Sequence, residues 1–220
     1  MDFHEVSLVS TNKHDFDLEV VLRALRMSQL GGTDVSIPHY LQAYAELCRF
    51  FKLTGRLFGF VAKDLEGKMY VIQNKLDDDH MHLNYTSVKQ MAAFEINNAD
   101  LSSKSKSFVG CRALLRLHWA LEFIVEFMNK LKDASDHDKT SVIASEVYSK
   151  TLSRHHPWIT RKLAAMAVHL LPSRIELISV MCKQDNQHVL KLLGEVVIEG
   201  KRVYDMVESI LYNNHLLHIP

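Results

Sequence analysis

Turn-forming residues are scarce in this chain, with 8 glycines and 4 prolines in 220 residues. That scarcity, with no sustained strand alternation, argues against a fold of short strands joined by tight turns. No stretch is a linker long enough to divide domains. An excess of one charge is also missing. Lys+Arg and Asp+Glu are both 26, so the formal net charge is zero. Bulk-charge binding of nucleic acid is therefore not expected. The three cysteines, Cys48, Cys111 and Cys182, are odd in number and far apart, which suggests reduced thiols and no disulfide framework. No run approaches 18 uncharged apolar residues, so no membrane span is expected. The opening MDFHEVSLVSTNKHDFD is acidic and lacks the apolar core of a signal peptide. A soluble, cytoplasmic protein is the expectation. There is no Gly-rich phosphate loop, no Gly-x-Ser-x-Gly elbow and no Cys/His nucleophile arrangement. Histidines number 13, but His80/His82 and His155-His156 have no cysteine or carboxylate at zinc-ligand spacing. Neither catalysis, nor a metal, nor a cofactor is expected.

What is present is helix after helix. With 47% hydrophobic and 24% charged residues, the chain can bury an ordinary globular core. The spacing of apolar residues predicts helices at about 15–30, 37–53, 56–75, 84–98, 109–132, 139–155, 158–171, 174–182 and 186–213. Gly31-Gly32-Thr33, Asp77-Asp78-Asp79 and the Ser/Lys run at 101–107 predict breaks or polar loops, and Pro172 predicts a helix end. The expected organisation is a flexible segment over 1–14 and one domain over 15–220. The fold class is all-α.

The most telling segment is CRALLRLHWALEFIVEFMNKL, residues 111–131. At 3.6 residues per turn, Arg112 and Arg116 share a stripe with Trp119, Phe123 and Phe127. His118, Glu122, Glu126 and Asn129 are expected on a separate polar face. Two cations thus head an aromatic stripe. A buried guanidinium needs an anion, because desolvating it unpaired costs several kcal/mol. An anion followed by apolar chains describes a phosphorylated lipid. The competing reading pairs the arginines with carboxylates of a neighbouring helix, or lets them snorkel to water.

A second helix repeats the theme. In GRLFGFVAKDLEGKMYVIQNK, Asp64 and Lys68 lie one turn apart on a stripe with Leu57, Phe60, Val61 and Val71. The competing reading is an ordinary i,i+4 ion pair. In SRHHPWITRKLAAMAV, Pro157 at a helix start brings His156 and Trp158 close together. Trp158 suits either a core or a membrane interface, where indole ring and N–H both find partners.

Four blocks together resemble the glycolipid transfer protein superfamily, and within it the branch that transfers ceramide-1-phosphate. They are LCRFFKLTGRLFGFVAKDLEGKM, CRALLRLHWALEFIVEFMNKL, SRHHPWITRKLAAMAVHLLPSR and RVYDMVESILYNNHLLHIP. The resemblance runs from about Asp15 to Pro220. It implies a two-layer helical sandwich with an internal, collapsible apolar pocket. It implies that Asp64 and His156 bind the ceramide amide. Lys68, Arg112 and Arg116 match the cationic triad of the phosphate-binding branch. In the sugar-binding branch the positions of Arg116 and Lys68 are instead tryptophan and asparagine. Trp158 is an expected membrane contact, as is Tyr44, which stands near a position where the family leads one to expect a membrane-facing tryptophan. The implied activity is non-enzymatic transfer of ceramide-1-phosphate by a monomer that visits the cytosolic face of membranes. A glycosphingolipid carrier on the same fold and a lipid-gated sensor are the alternatives.

Overall fold

The computed structural model describes residues 16–99, 107–181 and 186–219. The expected flexible segment 1–14, most of the Ser/Lys run and Cys182 lie outside the described residues. Nine α-helices occur among those described. Asp17 opens α1 (Leu18–Ser28) by accepting from the Glu19 amide. A minimal antiparallel hairpin follows, β1 (Gln29–Leu30) against β2 (Asp34–Val35). Gly31 and Gly32 turn it with φ of 59° and 71°, a region that side chains disfavour. Strands two residues long leave no alternation in the sequence to read, so only the break is predictable.

Next come α2 (Ile37–Leu53) and α3 (Arg56–Leu76). The helix expected from 84 begins only at α4 (Val88–Asn97). Residues His82–Tyr85 form a 3-10 turn, and Ser87 Oγ caps α4 by accepting from the Gln90 amide. After α5 (Val109–Asp133), the helix expected over 139–155 stops at α6 (Thr140–Lys150). A second 3-10 turn, Leu152–His155, replaces its end, and His156 ahead of Pro157 is extended. The chain closes with α7 (Trp158–Val168), α8 (Arg174–Met181) and α9 (Asn186–Asn213).

Helices α1, α2, α3, α5 and α9 pack in a closed ring, each on the next and α9 back on α1. The core runs along α5, where Leu114, Leu115 and Leu117 are fully buried. Burying each such side chain is worth roughly 1.5–3 kcal/mol. The start of α5 is clamped from α4. The buried Glu95 carboxylate accepts from the Gly110 amide (2.6 Å), the Cys111 amide (2.9 Å) and the Tyr85 hydroxyl (2.7 Å). It thereby satisfies two amides that the helix cannot, and faces the positive end of its dipole. Gly110 permits this approach, since a Cβ there would lie 2.7 Å from the Met91 sulfur and 2.8 Å from the Tyr85 ring. The clamp sets the position of Arg112 and Arg116 on the next two turns.

Cys48 and Cys111 are free and buried. Burial pushes the Cys48 thiol up to about 12 and raises Cys111 as well, so both are inert. Among the described residues no helix is long and apolar enough to cross a membrane.

Candidate functional site

On α3, Lys68 Nζ donates to Asp64 Oδ1, an i,i+4 ion pair. The stripe that carries them is not part of the core. The buried face of α3 is Phe58, Ala62, Leu65, Ile72 and Leu76, while Phe60 is 69% exposed and the Asp64 side chain 66%. Leu57 lies outside the described side chains. The apolar stripe around Asp64 and Lys68 is therefore not a core face: α2 and α5 cover a neighbouring face and leave this one open.

On α5 the predicted stripe persists. Arg112 and Arg116 are half-buried, with Trp119 and Phe123 below them and Phe127 in the core. Arg112 Nη2 donates to the Ser107 carbonyl at 2.7 Å. Arg116 differs. Its guanidinium lies 4.4 Å from the Trp119 ring centroid, and its buried Nη1 has no hydrogen-bond partner. Burial, then the charge of Arg112, lower its pKa. A half-buried cation beside another cation, with one buried donor left over, is a site suited to an anion. Among the described residues no carboxylate pairs with Arg116, so the helix-bridging reading fails there.

The 3-10 turn before α7 and the extended residue after it supply two histidines, His155 and His156. His156 Nδ1 is 2.9 Å from the Tyr148 hydroxyl of α6. Its pKa is lowered, chiefly by burial; Asp64 pulls it up and Lys68 down, which sets α3 and this turn beside each other. His155 stacks on Trp119 at 3.8 Å and accepts from Arg154 Nε at 3.0 Å. Burial first, then Arg154, hold its pKa down to about 4, and Arg116 adds to the effect. Arg154 itself is neutralised by Glu122 through two bonds of 2.7 and 2.9 Å. Asp64, Lys68, His156, His155, Arg116 and Arg112 thus form one electrostatically connected group.

A recess of about 400 Å³ adjoins it. Arg116, Trp119, Arg154 and His155 line one part, and Tyr204, Glu208 and the C-terminal residues 217–219 the rest. A larger cavity, about 740 Å³, lies between the hairpin, α4 and the end of α9, and none of the predicted residues line it.

The sequence model of the glycolipid transfer protein (GLTP) family matches residues 35–183. The chain belongs to the glycolipid transfer protein family. The ceramide-1-phosphate transfer protein of Danio rerio is 35% identical over 208 residues, 93% of this chain and 98% of its own. The mouse ceramide-1-phosphate transfer protein in its apo form superposes with a TM-score of 0.87 at 31% identity, over 94% of this chain and all of that one. The human protein in complex with 12:0 ceramide-1-phosphate gives 0.84 at 28%, over 93% and all of it. The architecture is accordingly the family's two-layer helical sandwich.

Within that family fold, α7 stands out. Its buried residues are only Ala167 and Val168, and it packs chiefly on α6. Trp158 is 60% exposed, and Ile159, Leu163, Met166 and Leu170 are exposed too. An apolar patch of that kind marks an interaction surface. Tyr44 does not join it. Tyr44 is buried between α2 and α5, with its hydroxyl donating to the Leu117 carbonyl, so the expected membrane contact there is corrected. His118 is also corrected, since it is wholly buried under α9, bonded to Glu208 at 2.6 Å and stacked on Tyr204. Sequence reasoning missed Tyr148 and Glu95. Neither breaks its helix pattern, and each acquires a role only through a residue on another element.

Proposed function

We propose that this chain carries ceramide-1-phosphate between membranes and releases it chemically unchanged. The observation that carries the reading is Arg116, a half-buried guanidinium whose buried Nη1 has no hydrogen-bond partner. Supporting it is the name of the relatives, which are ceramide-1-phosphate transfer proteins. Lys68, Arg112 and Arg116 hold the phosphate, and Asp64 and His156 read the ceramide amide. In the tautomer in which Nδ1 accepts from Tyr148, the neutral His156 ring carries its hydrogen on Nε2, a donor suited to the amide carbonyl. The lipid chains enter the interior by displacing its packing, with α7 as the apolar contact to the bilayer. The protein works as a monomer at the cytosolic face of membranes.

The energetics assign selectivity to the headgroup. A bilayer offers the chains the same gain, roughly 0.8 kcal/mol per methylene, that the protein offers. Charge-assisted hydrogen bonds to phosphate, each worth about 1.5–3 kcal/mol, set the preference. A neutral glycosylceramide leaves Arg116 desolvated and unpaired. Vesicle-to-vesicle transfer of ceramide-1-phosphate, ceramide and glucosylceramide tests this. Fast transfer of the phosphorylated lipid alone is expected, recovered intact. Equal transfer of the sugar lipid, or release of free phosphate above background, overturns the reading.

A further inference from the structure

The contact between Tyr148 and His156 fixes a chemical property of the turn before α7. His156 is extended, and among the described residues its ring makes one hydrogen bond, from Nδ1 to the Tyr148 hydroxyl at 2.9 Å. The two rings meet at a tilt, with centroids 5.7 Å apart. Tyr148 is held in turn by α5. Its ring is edge-on to Phe123 at 6.5 Å, and Phe123 lies parallel to Phe127 at 5.9 Å. The orientation of His156 therefore traces back to the aromatic stripe of α5. Burial raises the Tyr148 pKa, against the pull of Arg161, so the hydroxyl keeps its proton. That proton has no other protein acceptor among the described residues. Burial likewise keeps the His156 ring neutral, so a bare Nδ1 is available to accept it.

A neutral ring that accepts at Nδ1 can only donate at Nε2. An amide carbonyl takes that hydrogen. The amine of an N-deacylated sphingolipid, ionised to an ammonium, has only hydrogens to offer and meets another donor. Asp64 accepts from an amide N–H and from an ammonium alike, so the choice between them falls to His156. Resting on the proposed carrier function, in which His156 faces the amide, we infer that Tyr148 is a positioning residue that makes His156 a hydrogen donor. It thereby sets the preference of this corner for an N-acylated lipid over its N-deacylated counterpart. Without the Tyr148 hydroxyl the tautomer is free to invert, and Nε2 then accepts from an ammonium.

The test uses the full chain, with histidine labelled for nitrogen NMR, and two ligands that share the phosphate: short-chain ceramide-1-phosphate and sphingosine-1-phosphate. The His156 signals are identified by their loss in His156→Gln. The parent protein carries the His156 hydrogen on Nε2 and binds the N-acylated lipid more tightly. Tyr148→Phe keeps the ring against Phe123 and mixes the tautomers. It weakens ceramide-1-phosphate about two- to tenfold, the loss of one hydrogen bond, and leaves sphingosine-1-phosphate unchanged or tighter. A hydrogen on Nδ1 in the parent overturns the inference, whether or not the variant folds. So does an unchanged ratio of the two affinities in a folded Tyr148→Phe protein, or a parent that binds both lipids alike. Failure of the parent to bind ceramide-1-phosphate overturns the carrier function itself.

Discussion

Arg116 concentrates the cost and the use of the site in one side chain. Its Nη1 is dry and unpartnered, so the empty protein bears a desolvation penalty that an anion relieves. Replacing it with leucine should leave melting temperature unchanged or higher. The same change should weaken phosphorylated-lipid binding by about 1.5–3 kcal/mol, roughly ten- to a hundredfold. Lysine should restore little, because it lacks the planar fork. A folded Arg116→Leu protein with the parent's headgroup ranking in a transfer assay refutes the role. Asp64 is a different case. Being exposed and paired with Lys68, it stores no burial penalty, so Asp64→Val brings no gain in stability. His155 predicts a pH effect. Its folded pKa lies near 4 against an ordinary value of 6.5, so the unfolded chain takes up the proton first. Stability is therefore lost as pH falls from about 6.5 to about 4. His155→Phe keeps a ring against Trp119 and should flatten that part of a melting-temperature profile; an unchanged profile excludes His155 as its source.

At the scale of elements, two helices do contrasting work. The start of α5 is held by a carboxylate from α4, and the position of both arginines depends on it. Glu95→Ala strands two buried amides and the Tyr85 hydroxyl. Denaturant unfolding should show a loss of at least about 2 kcal/mol, since each buried unsatisfied group costs about 1–3. A loss below about 0.5 kcal/mol means that water replaces the carboxylate. Helix α7 is held loosely, with most of its large apolar side chains in solvent. Trp158→Ala should change stability by no more than about 0.5 kcal/mol, as is usual for an exposed side chain. It should clearly weaken binding to vesicles in a sedimentation assay. The reverse pattern, unfolding without loss of vesicle binding, assigns the indole to packing.

For the whole molecule, the consequence is coupling between ligand and stability. A ligand that binds only the folded chain stabilises it by RT ln(1 + [L]/Kd), about 2.7 kcal/mol at a hundred times Kd. Short-chain ceramide-1-phosphate should raise the melting temperature in a concentration-dependent way. Amide exchange in α6 and α7 should slow as apolar chains find partners. Short-chain glucosylceramide at the same concentrations should do much less. Equal shifts from both lipids mean that the chains, not the phosphate, provide the binding energy.

Much of this was legible in the chain itself, because helical periodicity is a local property. The spans of α3 and α5 follow from apolar spacing almost to the residue, and the arginine stripe on α5 follows from 3.6 residues per turn. The family resemblance rests on blocks of contiguous residues, which need no coordinates. What the sequence could not determine is which face of each helix is covered, since that depends on neighbours remote along the chain. Periodicity put Asp64 and Lys68 among apolar residues, yet packing by α2 and α5 chose the adjacent face of α3. The same local reasoning placed His118 in solvent, and α9 buried it. Tyr44 followed from likeness to a family position, and its partner, the Leu117 carbonyl, is 73 residues away. Only the tertiary structure left Arg116 without an ion-pair partner among the described residues and turned Glu208 to His118. Whether a buried charge is satisfied depends on every element that reaches it, and no single segment carries that information.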